Sequence, residues 1–417
     1  MADSCITFFQ KLMSLSILVL IARFSTGVEA TNRTKLVLRL IHRDSILPLP
    51  YSEAENDLRA PLVPHGRGLL FLVNVSIGEP PIPQLLAMDT GSPLTWLHSY
   101  LCTGCNPPTN RAPIDDPKRS STCTSLSCDF KYQCQQYLGD TDCSQESFRC
   151  TYNMVYMDGS YTKGIIASEK FTFDTSDGGI SAIPDLVFGC GIESHGVVVR
   201  LSGILGLSNL NGHSLVTRVG KKFSYCIGNI SDPYYMYNQL VLGEGAVLDG
   251  DSTGLDIRND QYVVSIQGIS VGEKKLEFNK QEYHYNVLID SGSTFTYLQR
   301  SAFEALKEEV VNILADSMQL EIIEGFEETP CYRGDMVRDI EDFPSVTLHF
   351  DGDTKLRLNV EGMFHRIRSD IFCMAVVVSE DETNTIGVLA QQYCNIGFDL
   401  NEMKVRFSKI DCELLED

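Results

Sequence analysis

One eight-residue pattern occurs twice in this chain, and that repetition constrains the fold more than any bulk property. Leu85-Leu86-Ala87-Met88-Asp89-Thr90-Gly91-Ser92 is echoed by Asn286-Val287-Leu288-Ile289-Asp290-Ser291-Gly292-Ser293. In each copy an apolar strand delivers an aspartate into a turn of small residues. Average composition would produce Asp-Ser/Thr-Gly-Ser/Thr by chance roughly 0.02 times in a chain of this size. Each copy is followed, about a hundred residues on, by an apolar-glycine-apolar run. These runs are Ser202-Gly203-Ile204-Leu205-Gly206-Leu207 and Thr385-Ile386-Gly387-Val388-Leu389. Two lobes of similar plan follow, and 417 residues suffice for two cores.

Two such turns have a chemical use that one does not. Taken singly, Asp-Thr-Gly is often just a solvated turn. A buried strand ending in aspartate carries its carboxylate to the lobe surface, where a partner lobe can supply a second. Carboxylates within about 3 Å cannot both ionise, so Asp89 and Asp290 would share one proton and titrate as a pair. The charged member can take a proton from a trapped water while the neutral member donates one to a carbonyl oxygen. Gly91 and Gly292 permit the close backbone approach that facing turns require. The Thr90 and Ser291 hydroxyls can bond across to the opposite turn. Ser92 and Ser293 can hold the outer carboxylate oxygens.

The rest of the chain narrows the setting. The formal net charge of -21, without a basic run of useful length, argues against a nucleic-acid partner. Lys11 precedes the apolar run Leu12 to Ala22, too short to span a bilayer unaided and suited to a signal peptide cut after Ala30. A membrane anchor is the alternative reading of that run. The later sequence offers no span, so no membrane association is expected once residues 1–30 are removed. Loss of Cys5 with that segment leaves an odd thirteen of the 14 cysteines, which read as disulfides plus one unpaired thiol or an interchain bond. Cys102-Thr-Gly-Cys105 reads as disulfide-forming rather than as half a zinc site, because no matching second pair follows. No metal and no cofactor are expected. Asn32, Asn74 and Asn229 stand in glycosylation sequons.

From Leu69 onward, short apolar runs broken by Gly, Pro, Asn and Asp indicate an all-β protein with few short helices. Leu69 to Gly78 is a strand stopped by Glu79-Pro80-Pro81. Ser301 to Met318 is the best helix, with Phe303, Leu306, Val310, Ile313 and Leu314 on one face. Residues 99–150 form a cysteine-rich insertion with little core of its own, and turn residues from Gly243 to Gly254 divide the lobes.

Together these motifs resemble the pepsin-like aspartic proteases. The insertion after Trp96, Phe188-Gly189-Cys190-Gly191 and Phe223-Ser224-Tyr225-Cys226 are similar to the plant nepenthesin-like branch. His42-Arg43-Asp44-Ser45 resembles that branch's propeptide. The resemblance implies a bilobal β fold with a central cleft, made as a zymogen and active on polypeptides at acid pH. It implies residues 1–30 as signal peptide, 31–66 as propeptide, 67–247 as the N-terminal lobe and 248–417 as the C-terminal lobe. Carried over by residue, Tyr156, Gly159 and Ser160 belong to a flap that closes over substrate, and Trp96 supports Tyr156 through its indole N–H. Gly203 to Leu207 packs beneath the first aspartate loop.

This sequence departs from the pattern at several places. Met157 replaces a glycine after the flap tyrosine, and Ser99 replaces the insertion's first cysteine. Cys123 and Cys394 look additional, Gly387-Val388 replaces Gly-Asn, and the propeptide is short. The expectation is a secreted monomeric aspartic endopeptidase of the cell wall or apoplast, with the vacuole as a second destination. The rival readings are a catalytically inactive pepsin-fold glycosidase inhibitor and a binding module built on the cysteine-rich insertion. Intact catalytic loops favour the peptidase. No His-Glu-x-x-His or P-loop motif supports another enzyme class.

Overall fold

The structure is a computed structural model that describes residues 36–42, 70–105, 120–129, 131–136, 141–174, 180–196, 201–209, 212–232, 234–279, 286–323, 329–380 and 383–415. All of them belong to one compact unit. The expected signal peptide and Asn32 lie outside the described residues, as does all of the expected propeptide except 36–42.

Alternation of apolar and polar residues builds strands, and the strands repeat one motif in each half. Ile82–Asp89 lies antiparallel to Phe71–Ile77, with Leu72 opposite Ala87. On its other side it runs parallel to Gly203–Gly206, with Gly206 opposite Asp89. Trp96–Thr103 then pairs antiparallel to Gly203–Gly206 and parallel to Ile180–His195. The second half follows the same order. Asn286–Ile289 is antiparallel to Gln261–Val271 and parallel to Asn384–Ile386. Thr296–Leu298 is antiparallel to Asn384–Ile386 and parallel to Val376–Val378. In both halves the strand that leads to an aspartate is therefore central, and the aspartate emerges at the sheet's end.

Six strands from both halves form one continuous run: Asp251–Gly254, Lys404–Lys409, Cys394–Asp399, Lys222–Ile227, Gln239–Leu242 and Leu36–His42. Phe223, Tyr225, Tyr262 and Phe398 are buried where these strands meet, the Phe223 and Phe398 rings stacking at 4.4 Å. Burying such a ring contributes about 1.5–3 kcal/mol. Cys226–Cys412 closes a separation of 186 residues across this sheet, and a loop so long is worth about 5 kcal/mol in the chain-entropy view.

Some elements differ from their sequence expectation. The first strand is shorter than Leu69 to Gly78 because Leu70 precedes it and turn residues begin at Gly78. Helix Arg300–Val311 passes into a wider π turn over Asn312–Ser317. Phe303, Leu306, Val310 and Leu314 are buried as the stripe predicts, but Ile313 is rotated to a half-buried position. The expected boundary region is not only turns, since Asp251–Gly254 pairs with Lys404–Lys409. The stretch 36–42 is built into the sheet: Leu36 to Arg39 pair with Gln239–Leu242, and Leu40 to His42 pair with Phe71–Ile77. Its alternation explains this, Leu38 and Leu40 pointing into the core and Arg39 outward.

Among the described residues five disulfides are formed: Cys102–Cys105, Cys128–Cys143, Cys134–Cys150, Cys226–Cys412 and Cys331–Cys373. Cys102 and Cys105 thus join each other, as the disulfide reading of that pair holds. Among the described residues Cys123, Cys190 and Cys394 lie outside these five bonds, where the odd count led to the expectation of one such cysteine. Burial pushes the Cys394 thiol up to about 12, which keeps it protonated and unreactive. The insertion also has more core than expected. Cys128, Cys134, Cys143 and Cys150 are buried together with Trp96, Tyr152 and Leu94 in a compact cluster of the first lobe.

Candidate active site

Asp89 and Asp290 emerge from their strands into facing turns that are locked together by a reciprocal pair of bonds. The Ser291 hydroxyl accepts the Thr90 N–H at 3.1 Å, and the Thr90 hydroxyl accepts the Ser291 N–H at 2.9 Å. Each hydroxyl also donates to a carbonyl of the opposite strand, Thr90 Oγ1 to Ile289 at 2.8 Å and Ser291 Oγ to Met88 at 3.3 Å. Thr90 and Ser291 are almost wholly buried. Their hydroxyls thereby satisfy two backbone N–H groups that would otherwise be buried without an acceptor.

Within each turn the carboxylate is held by its own loop. Gly91 N–H donates to Asp89 Oδ1 at 2.8 Å and Ser92 Oγ to Asp89 Oδ2 at 2.5 Å. Gly292 N–H donates to Asp290 Oδ1 at 2.8 Å and Ser293 Oγ to Asp290 Oδ2 at 2.6 Å. Glycine is required by proximity at both turns. A Cβ on Gly91 would lie 2.8 Å from Asp290 Oδ1, and one on Gly292 only 2.5 Å from Asp89 Oδ1. Each carboxylate therefore faces the other loop's glycine, and the pair occupies one site. Asp89 is buried, and burial first and the neighbouring Asp290 second hold its carboxyl well above the ordinary range, against the bonds from Ser92 and Gly91. Such a pair retains a proton at pH values where an isolated carboxyl has lost it.

The turn over residues 156–160 lies beside this pair. It joins Cys150–Val155 to Tyr161–Asp174, closed by Tyr156 N–H on Ser160 O at 2.8 Å and Gly159 N–H on Tyr156 O at 2.9 Å. Gly159 adopts φ +78°, a conformation that favours glycine. Ser160 is buried and donates to Asp158 Oδ1 through both its N–H and its hydroxyl. The Tyr156 hydroxyl accepts the Trp96 indole N–H at 2.6 Å. Burial above all, with the Asp89 charge beyond it, keeps that phenol protonated. Beneath Trp96, with ring centroids 5.0 Å apart, His98 is fully buried, and loss of solvation lowers it to about 4. Its Nε2 lies 3.0 Å from Ser194 Oγ. Met157, beside the tyrosine, is exposed.

Asn74 is exposed on its strand, and Asn229 is half-buried with its Oδ1 accepting the Ser231 N–H. Four further residues, three of them unmarked by any motif, support the aspartate loops directly or through a neighbour. Tyr262 donates to Leu207 O at 2.7 Å, and Gln261 Nε2 to Gly91 O at 3.3 Å. Tyr225 donates to Gln391 Oε1 at 2.7 Å, and Gln391 Nε2 to Asp290 O at 3.1 Å. A buried glutamine has no periodic signature, so only the Phe-Ser-Tyr-Cys run offered a sequence signal here.

The comparisons agree with this geometry. Family models described as xylanase inhibitor N-terminal and C-terminal match residues 71–244 and 261–409. "Aspartyl protease UND" of Arabidopsis thaliana is 31% identical over 84% of this chain and 87% of its own length. "Aspartic proteinase nepenthesin-2" of Nepenthes gracilis is 30% identical over 82% of this chain and 78% of its own. Among solved structures, basic 7S globulin from soybean superimposes with a TM-score of 0.66 at 16% identity, over 91% of this chain and 97% of that one. At that identity it speaks for the bilobal fold alone. Two facing aspartate turns on a repeated β motif, with matches along nearly the whole described chain, make this protein a member of the plant pepsin-like aspartic protease family.

Proposed function

We propose that the protein is an aspartic endopeptidase that hydrolyses peptide bonds at acid pH with a water activated between Asp89 and Asp290. The observation that carries this reading is the reciprocal Thr90–Ser291 lock, which brings two separately held carboxylates into one site. With one proton on the pair, the ionised member removes a proton from water while the protonated member donates to the substrate carbonyl. Amide cleavage then passes through a tetrahedral intermediate without a covalent adduct. Thr90, Gly91 and Ser92, with Ser291, Gly292 and Ser293, hold the geometry. Tyr156, kept in place by Trp96, forms the inner wall of the flap, with Gly159 and Ser160 shaping its tip. The exposed Met157 would narrow the cleft at that tip.

The substrate class is an extended polypeptide with apolar residues flanking the cut. In this reading the protein is a monomeric secreted zymogen, its leader removed at Ala30 and its glycans at Asn32, Asn74 and Asn229, delivered to the apoplast or vacuole. Among the described residues no helix is long and apolar enough to cross a membrane. The alternative, a pepsin-fold inhibitor of cell-wall glycosidases, draws on the wording of the matching family models. It leaves unexplained why both carboxylates keep a full set of supporting donors.

Purified protein freed of its prosegment should cleave a quenched fluorescent peptide library between about pH 2.5 and 7, with acid-dependent activity blocked by pepstatin, a mimic of the tetrahedral intermediate. No cleavage at any pH by folded protein would overturn the peptidase reading in favour of the inhibitor.

A further inference from the structure

The two aspartate peptides are anchored by different donors. The Asp89 carbonyl receives the backbone N–H of Leu207 at 2.9 Å, continuing the parallel ladder. In the second lobe the chain leaves that register after Ile386. Gly387 N–H turns to Thr296 Oγ1 at 3.4 Å, and Val388 N–H turns to Ser293 O at 2.7 Å. The Asp290 carbonyl receives instead the side-chain amide of Gln391 at 3.1 Å. That amide's nitrogen also donates to Ile386 O at 2.7 Å, the same carbonyl that accepts the Asp290 N–H at 3.1 Å. Both faces of the Asp290 peptide thus depend on one glutamine.

Gln391 is fully buried, and its oxygen accepts the Tyr225 hydroxyl at 2.7 Å. Tyr225 stands on Lys222–Ile227, in the half of the chain that carries Asp89. A crossed arrangement results. Asp89 is tied through Leu207 to Tyr262, which lies on Gln261–Val271 in the other half, and Asp290 is tied through Gln391 to Tyr225. Both tyrosine rings pack on Phe398, at 6.1 and 5.0 Å. A carboxamide is the one neutral side chain that offers two donors to two carbonyls and an acceptor to a phenol at once. Loss of either contact would leave buried carbonyls unpaired and free the aspartate peptide to shift.

We infer that Gln391 is the positioning residue of Asp290, standing in for the backbone N–H that fixes Asp89 and relaying to Asp290 a restraint from Tyr225 of the opposite half. This rests on the peptidase reading for its catalytic consequence and on geometry for the restraint itself. Gln391 does not touch substrate; it sets where the second carboxylate stands relative to the first.

The test compares wild type with Gln391→Met, Gln391→Glu and Tyr225→Phe. Gln391→Met should lower kcat by about 10–100-fold with KM within about twofold, because small misplacements act on the reacting geometry rather than on binding. Its two apparent pKa values should move together, since a displaced Asp290 couples less strongly to Asp89. Gln391→Glu, protonated at low pH, can still donate one proton and accept from Tyr225. It should outperform Gln391→Met at acid pH and lose that advantage as the new carboxyl ionises. Tyr225→Phe should move kcat and the pH profile in the same direction by a few fold, and it serves if Gln391→Met does not fold.

Wild-type kcat and pH profile in folded Gln391→Met, or in Tyr225→Phe should the former not fold, would overturn the inference. Should wild type itself cleave nothing, the peptidase reading fails, and hydrogen exchange decides the restraint. Faster exchange in Gln391→Met, or in Tyr225→Phe should the former not fold, over 286–292 but not 86–92 would support it, and unchanged exchange over both would overturn it.

Discussion

The two aspartate loops are nearly superposable in chemistry and unlike in support. Each has an aspartate, a hydroxyl that bonds across, a glycine under the opposing carboxylate and a serine on the outer oxygen. The first loop is held by its sheet, through Leu207 N–H. The second is held by a side chain, Gln391, where the sheet register ends. Asp89 is also the more deeply enclosed of the two. Symmetry is therefore kept where the carboxylates face each other and relaxed where the loops meet their lobes. A shared proton demands equal reach from both sides, whereas support can be supplied by any buried donor.

The change expected to act most strongly is the loss of either carboxylate. Asp89→Asn and Asp290→Asn should each reduce peptide hydrolysis by about 10³-fold or more while leaving the circular dichroism spectrum unchanged, because each removes one ionisable oxygen of a pair. Appreciable turnover by either would break the comparison at its centre. Next come the glycines. Gly292→Ala would place a methyl 2.5 Å from Asp89 Oδ1, against 2.8 Å between Gly91→Ala and Asp290 Oδ1. Both should lose activity and cost about 1–3 kcal/mol of stability in chemical denaturation, Gly292→Ala more. The reverse order would show that the loops are not spaced as described.

The lock sharpens the comparison further. Thr90→Val and Ser291→Ala each leave a buried N–H without its acceptor, worth about 1–3 kcal/mol apiece. Because the two bonds are reciprocal, the double variant should cost less than the sum of the singles. Strict additivity would mean that the loops do not act as a unit.

The remaining effect is confined to low pH and separates the first loop's surroundings from the second's. His98, lowered to about 4 by burial, favours the folded state while neutral. That contribution is present above its ordinary pKa and is lost as pH falls through about 4, on the order of 2–3 kcal/mol. Asp89 has the opposite sign. Its raised carboxyl favours the folded state at low pH, and that contribution is lost as pH rises through the raised value. His98→Gln should therefore raise the melting temperature at pH 3 relative to wild type, with a smaller difference at pH 6.

The sequence made the dyad and its lock legible because they depend on contiguous motifs whose spacing has a chemical reason. Trp96 and Tyr156 were legible only through family resemblance, since neither a lone tryptophan nor a hairpin tyrosine announces its partner. The all-β repeat followed from strand-length apolar runs, and the Phe303–Leu314 stripe from its period. Three features were hidden for physical reasons. Gln391 and Tyr262 act across a sheet that only tertiary pairing creates. The alternating Leu38 and Leu40 could mark any amphipathic segment until their strand neighbours are known. The cysteine count gave parity but not pairing, so Cys190, alongside Cys123 and Cys394, was unexpected outside the five bonds.

Whether Asp89 and Asp290 titrate as one site is read by following the Asp89 carboxyl by carbon-detected NMR across the pH range. This would be done in wild type and in Asp290→Asn. Asp89 should titrate at a raised value in wild type and fall clearly towards the ordinary carboxyl range in the variant, with the share due to burial remaining. An Asp89 titration that is ordinary in wild type, or that does not move when Asp290 loses its charge, would contradict it.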